Sequence, residues 1–380
     1  MATLDRIMSV IRKFHERSKI FLLKNTSVVS PLFSGQFCYC LDEIQWYKKY
    51  GDLVKVEIGD DFQKIQPAIR IRDFEAHYLE KSEGLQHLGI FSLATVSGGR
   101  VVAKDEAREK YAESVKSMLE AFFSLSLDLS RLEVTYFSGN TAANVEMSRK
   151  KEAQKRRILV DDYIPEDDFK SVLIECGLKE EQLRGISTRD NYLTTNWFNC
   201  VAPWGYRNEF LYRMSDGAYV DIGTIERLNV EPIIEEINEE RYVVSIKEWE
   251  KSIVINAIGI ERVSMCLEEK KSISDISQLA PLKNLLKENG VSSGEINRIR
   301  EALRILHRIF TDVDWAGLGK HKDRKNHVKS LMRICNALSL ETISDFLHLH
   351  AELYKKIFPD LRDGIARTVE EIKNYRLRVK

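Results

Sequence analysis

The sequence contains no run approaching the roughly eighteen consecutive apolar residues that a membrane-spanning helix needs, so no membrane association is expected. Its opening carries Asp5, Arg6, Arg12, Lys13, Glu16 and Arg17 where a secretory leader would need an apolar centre, and a cytoplasmic location follows. Cysteine is sparse. Cys38, Cys40, Cys176, Cys200, Cys266 and Cys335 are scattered, and the only close pair, Cys38-Tyr39-Cys40, has neither zinc-knuckle spacing nor the partners of a disulfide framework. Reduced, mostly buried thiols are expected. His348 and His350 stand two apart, which does not suit a helical metal pair. A Ser-His-Asp order, a glycine-rich phosphate loop, a Cys-x-x-Cys and any internal repeat are all missing.

What is present is a chain of 380 residues, 43% hydrophobic, enough to bury a full core in two or three folding units. Its formal charge is zero, yet unevenly spread. Residues 270–380 hold 22 Lys plus Arg against 14 Asp plus Glu, leaving that part basic and residues 1–269 acidic. A basic C-terminal part invites a polyanion such as tRNA; it is equally consistent with a solvated basic face.

Leu4, Ile7, Met8, Ile11 and Phe14 recur at helical spacing, as do Ala107, Tyr111, Val115, Met118, Leu119 and Phe122 in a helix over 104–123. Short apolar or alternating segments at 27–32, 37–41, 53–58, 68–71, 132–137, 209–214, 219–222 and 242–246 read as strands. Asp216-Gly217 predicts a hairpin between 209–214 and 219–222, and 249–267 starts as an apolar run that continues as a helix. Residues 140–162, rich in Lys and Arg, read as an exposed excursion. Beyond residue 273 strand signals stop, and 277–288, 294–310, 324–338, 339–358 and 363–378 all read as helices. The expected fold is α+β: an antiparallel sheet flanked by helices over 1–268, followed by an all-helical domain over 269–380.

Several ordered segments carry a resemblance: Ile11 to Lys19 with Asn25 to Pro31, Gln66-Pro67-Ala68-Ile69-Arg70, Glu133-Val134-Thr135-Tyr136-Phe137, Arg189-Asp190-Asn191-Tyr192, Asp221-Ile222, and above all Gly259-Ile260-Glu261-Arg262. Together they resemble the class II alanyl-tRNA synthetases, the last matching the family's motif three. The likeness runs on through Phe358-Pro359-Asp360-Leu361-Arg362, in the order of that family's tRNA-recognition helices. The resemblance implies a catalytic domain and a tRNA-recognition domain with no editing domain, and an enzyme that uses ATP, with Mg2+ accompanying it, to join an amino acid to tRNA or another acceptor. The alternative is a non-catalytic pseudo-synthetase that binds tRNA or a protein partner.

Adenylate formation is an in-line attack of a carboxylate on the α-phosphorus of ATP, and it calls for cationic clamps on the phosphates. Arginine suits this because its fork donates in pairs and keeps its charge. By resemblance Arg262 is the motif-three arginine, with Gly259 allowing close approach; structurally, it could equally be a helix arginine paired with a carboxylate. The motif-two window 84–93 offers no arginine and no carboxylate, so Arg70 or Arg72, one strand earlier, would stand in, with His87 joining the nucleotide set.

The family holds the amino group of alanine with an aspartate, whereas this chain has Asn256 there, which makes alanine doubtful as the substrate. Trp204, Glu209, Asp221, Gly223 and Asn256 are the candidates for the amino acid. The rings of Trp197, Phe198, Trp204 and Tyr206 could wall a pocket or be core. For tRNA, Lys322, Lys325, Lys329 and Arg333 share nearly one helical face.

Overall fold

The computed structural model describes residues 4–15, 21–22, 27–29, 61–69, 94–138, 169–186, 192–193, 203–320 and 322–379. Arg70, Arg72, His87, the 84–93 window, the strands expected at 37–41 and 53–58, the 140–162 excursion and the rings of Trp197 and Phe198 lie outside them.

Among the described residues nine strands form one sheet: β1 (Phe21–Leu22), β2 (Asp61–Pro67), β3 (Ala94–Ala103), β4 (Leu132–Phe137), β5 (Leu183–Ile186), β6 (Tyr192–Leu193), β7 (Trp204–Arg213), β8 (Tyr219–Ile237) and β9 (Glu240–Gly259). The order is β1-β2-β3-β9-β8-β7-β4-β5, with β6 paired to β7. All neighbours are antiparallel except β1 with β2 and β4 with β5. Gly217, at φ 88°, makes the expected turn between β7 and β8.

The sequence pattern misplaces the end of β9. Residues 249–259 continue β9, and the helix starts only at Ile260. β8 and β9 are one long ribbon, closed at Asn238 (φ 52°) and Glu239 (φ 66°), the paired left-handed geometry of a tight hairpin turn. Likewise 68–69 follow β2 instead of forming a strand.

Three helices serve the sheet. α1 (Leu4–His15) buries Leu4, Ile7, Met8 and Ile11. α2 (Ala107–Ser124) buries Ala107, Tyr111, Val115, Met118, Leu119 and Phe122, the face that its spacing predicts. α3 (Phe169–Glu175) sets Phe169 edge-on to Tyr111, with ring centroids 4.5 Å apart. The Tyr111 hydroxyl donates to Asn208 Oδ1 (2.8 Å), and Asn208 Nδ2 donates to the Thr135 carbonyl (2.9 Å), so these polar atoms beneath α2 are satisfied.

α4 (Ile260–Leu267) leads into α5 (Ala280–Glu288), α6 (Ile296–Asp312), α7 (Lys322–Ile334), α8 (Leu340–Tyr354) and α9 (Ile365–Val379). All five expected C-terminal helices are present. Ser339 caps α8, its hydroxyl accepting from Thr342 N at 2.9 Å. One hydrophobic cluster runs from Leu4 through the sheet to Tyr375, so helical region and sheet share a core. None of the described helices is long and apolar enough to cross a membrane.

Candidate functional site

Residues directly opposite in an antiparallel pair point to the same face. Gly223, Ile225 and Arg227 of β8 oppose Phe210, Asn208 and Tyr206 of β7 and Ile258, Asn256 and Val254 of β9. This is the face under α2, since Tyr111 reaches Asn208 and a Cβ at Gly223 would sit 3.3 Å from Met118 Sδ. The alternate residues, Arg207 and Glu209 of β7, Thr224 and Glu226 of β8, and Ile255 and Ala257 of β9, make the opposite face. A bulge between Phe210 and Leu211 pairs Asp221 with Leu211, which brings Asp221 to that second face.

The register therefore sorts the sequence candidates. Glu209 and Asp221 share the polar face, whereas Gly223 and Asn256 lie on the helix-covered one. Trp204, 1% exposed, joins Phe137, Tyr206, Val230 and Val243 in a small separate core. The segment 204–209 is strand, the first part of β7.

Gly259 ends the central strand β9 in extended geometry (φ −78°, ψ 105°) and is the residue before α4. Arg262, one turn into that helix, is 6% exposed. Its Nη1 donates to the Asp221 carboxylate at 2.7 Å and to the Asp221 backbone carbonyl at 3.0 Å. Arg262, expected at the nucleotide, and Asp221, expected at the amino acid, are thus one charged unit. On the same helix, burial pushes the Cys266 thiol well above the ordinary range, and Glu269 adds to the shift.

Sequence reading missed Glu226 and Arg207. Arg207 Nη2 lies 3.0 Å from Glu209 Oε1, and Arg207 faces Glu226 across the β7–β8 pair. Burial pushes the Glu226 carboxyl above its ordinary range; Arg207 opposes this and Glu209 reinforces it. Alternation could have pointed to Glu226, since it recurs two residues from Thr224 and is out of phase with the buried Ile225. A groove of about 560 Å³ lies elsewhere, on the outer side of α2, lined by Lys116, Leu119, Phe123, Cys176 and Leu178 among others.

On α7, Lys322, Lys329 and Arg333 are exposed, and Lys325, at the edge of their face, is half-buried with its Nζ 5.7 Å from the Trp315 ring centroid. Arg324 is turned inward, its Nη1 donating to the Leu318 carbonyl at 3.3 Å.

No protein-family profile and no curated protein matches the chain. Solved structures do share similarity with it. Apo histidyl-tRNA synthetase from S. aureus is 12% identical with a TM-score of 0.38, covering 75% of this chain and 76% of that one. The RNA binding domain of threonyl-tRNA synthetase from Cryptosporidium parvum Iowa II is 10% identical with a TM-score of 0.40, covering 82% and 80%. Pyrrolysyl-tRNA synthetase from Desulfitobacterium hafniense is 11% identical with a TM-score of 0.34, covering 72% of each chain. These likenesses concern architecture alone.

Proposed function

We propose that this chain is an ATP-dependent ligase of the alanyl-tRNA synthetase-like kind, which activates an amino acid as its adenylate and passes it to tRNA or another acceptor. The observation that carries this reading is the junction of β9 with α4. There Gly259-Ile260-Glu261-Arg262 stands at the end of a central antiparallel strand, and the arginine is tied to Asp221 of the adjacent strand.

Asp221 and Arg262 suit the nucleotide: a guanidinium for phosphate oxygens, and a carboxylate of the hard oxygen type that Mg2+ accepts. Mg2+ would come with ATP and screen its phosphate charge. Arg70, Arg72 and His87 belong to the same proposal on resemblance alone. Arg262 would exchange part of its bond to Asp221 for the phosphates, holding the chain of ATP for in-line attack. The amino acid's carboxylate oxygen bonds to the α-phosphorus as the bond to pyrophosphate breaks. An acceptor hydroxyl then bonds to the carbonyl carbon, giving up its proton, and AMP leaves.

For the ammonium group Glu226 replaces the aspartate that the chain lacks at Asn256, with Glu209 beside it and Arg207 limiting the local negative charge. Lys322, Lys329 and Arg333 face outward for tRNA phosphates, with Lys325 beside them. The polar face is where Glu226→Gln tests the reading. The variant should raise the KM for the amino acid at least tenfold and leave the Kd of ATP unchanged; an unchanged amino-acid KM would remove Glu226 from the site.

One observation favours a second reading, a pseudo-synthetase that binds tRNA or a protein without chemistry. Arg262 is already engaged by Asp221, and the 84–93 window offers no phosphate clamp of its own. Salt-sensitive tRNA binding by a protein that takes up no ATP would select it.

A further inference from the structure

Along α6 every residue from Ile299 to Phe310 is buried, although five of them carry ionisable side chains: Arg300, Glu301, Arg304, His307 and Arg308. Burying such groups is strongly unfavourable unless each is paired with good geometry. The pairing here has a direction, because it leads to α4. Glu261, 0% exposed, accepts hydrogen bonds from Arg304 Nη2 and from the Tyr354 hydroxyl. Arg304 also donates from Nη1 to Glu301 at 2.8 Å and from Nη2 to the Tyr354 oxygen at 2.8 Å, and Glu301 accepts from Ser274 Oγ at 2.8 Å. Ser274 lies in the short 3-10 turn that follows α4. Two turns further along α6, Asp312 accepts from Val28 N and is paired with Arg308, which also holds Asp360 at 2.8 Å.

Glu261 and Arg262 are consecutive, so their side chains leave α4 in different directions: one into the helical region, the other onto Asp221 of the sheet. An apolar contact at residue 261 would allow α4 to slide or rotate by a fraction of a turn. A carboxylate held by a planar guanidinium and a hydroxyl at once does not. Burial pushes the Tyr354 hydroxyl well above its ordinary range, so it stays a donor.

We infer that Arg304 and Tyr354 are positioning residues, which fix the rotation of α4 through Glu261 and thereby aim Arg262. This rests on the reading of Arg262 as the nucleotide clamp. It assigns the helical region a part in the first step of the reaction that needs no tRNA.

The test uses the full chain with Tyr354→Phe, which removes one hydroxyl, alongside Arg304→Met and Glu261→Gln. Two readouts are taken: the Kd of ATP, and native-state alkylation of individual cysteines by N-ethylmaleimide, resolved by peptide mass spectrometry. Cys266 reports on α4, Cys335, buried after α7, on the helical region, and half-buried Cys176 sets the reagent's rate. The expected result for Tyr354→Phe is Cys266 alkylation at least tenfold faster with Cys335 unchanged, together with an ATP Kd raised about tenfold. Equal acceleration of both thiols, no acceleration, or faster Cys266 labelling at an unchanged ATP Kd would overturn the assignment. Wild-type protein that binds no ATP would instead remove the ligase reading itself, while the thiol rates still decide whether α4 is held from the helical region.

Discussion

Arg262 and Asp221 form a two-point contact across the join of sheet and helix, in which one guanidinium nitrogen meets both the side chain and the backbone carbonyl of the same aspartate. Their side chains are only 8% and 14% exposed, so the pair is well shielded from solvent. Removing one member of such a buried pair typically costs about 3–5 kcal/mol. Arg262→Ala and Asp221→Ala are each expected to lower stability in urea by that order. The double replacement Arg262→Met with Asp221→Leu should recover most of it. If the double variant is as unstable as the sum of the singles, the two residues are not a unit.

The buried histidines give a pH prediction. His307 Nε2 lies 2.8 Å from the Leu361 carbonyl and must donate to it, so its Nδ1 accepts and His350 Nδ1, 2.9 Å away, donates. His350 Nε2 is then a bare, buried nitrogen, and it has no hydrogen-bond partner. Burial pushes both rings down, His307 to about 4 and His350 well below its ordinary value. For His350 the neighbouring ring and Arg304 and Arg308 add to this; for His307 Arg308 and His348 add to it, while the bond to the Leu361 carbonyl and Asp360 oppose it. The Tyr354 ring packs edge-on to His350.

Because the unfolded chain takes up these protons first, stability is full above about pH 6.5 and falls as pH drops toward 4. For His307 alone the loss is on the order of 3 kcal/mol. Urea midpoints measured across that window should decline in the wild type and flatten in a His307→Gln, His350→Gln double variant. An equally steep decline in the variant would place the acid sensitivity elsewhere.

Gly364 predicts a packing failure. A Cβ there would fall 2.0 Å from Thr311 Oγ1 and 2.7 Å from Thr311 Cα, where the 359–364 turn crosses α6. The second contact is backbone and cannot rotate away. Gly364→Ala should therefore cost at least the 1–3 kcal/mol or so of ordinary overpacking, read as a lowered Tm. An unchanged Tm would mean that this crossing is looser than these distances indicate.

Under the proposed tRNA role, a salt dependence is expected of the outward face of α7. Replacing Lys322, Lys329 and Arg333 by Ala should weaken tRNA binding and flatten the plot of log affinity against log salt by roughly one for each phosphate no longer neutralised, about three in all. The buried Arg324 is excluded from the set because it is spent on the Leu318 carbonyl. Unaltered affinity at every salt concentration would turn the face into a solvated one.

Helix faces were legible wherever one side of the element meets a single core, as in α1 and α2, because period and burial then coincide. The antiparallel sheet, the turn at Gly217 and all five C-terminal helices were legible for the same reason. The long β8–β9 ribbon was not: its apolar 249–259 half has no alternation, and neither face of a strand buried on both sides announces itself against a buried helix. The burial of α6 was not legible either: its arginines and glutamate are interior because carboxylates from distant segments (Glu261 and Asp360) complete their pairing. For the candidate site, the sequence supplied Arg262 and Asp221 separately. It could not supply their contact, because a bulge at Phe210 and Leu211 sets the face of Asp221, nor the split of Glu209 from Asn256, because that rests on the pairing register of three strands.

ATP–pyrophosphate exchange, run on the folded full chain with each of the twenty standard amino acids in turn, bears most directly on the ligase reading. Exchange above background with at least one of them, falling at least a hundredfold in Arg262→Ala, is the predicted result. A folded protein that exchanges with none would contradict it.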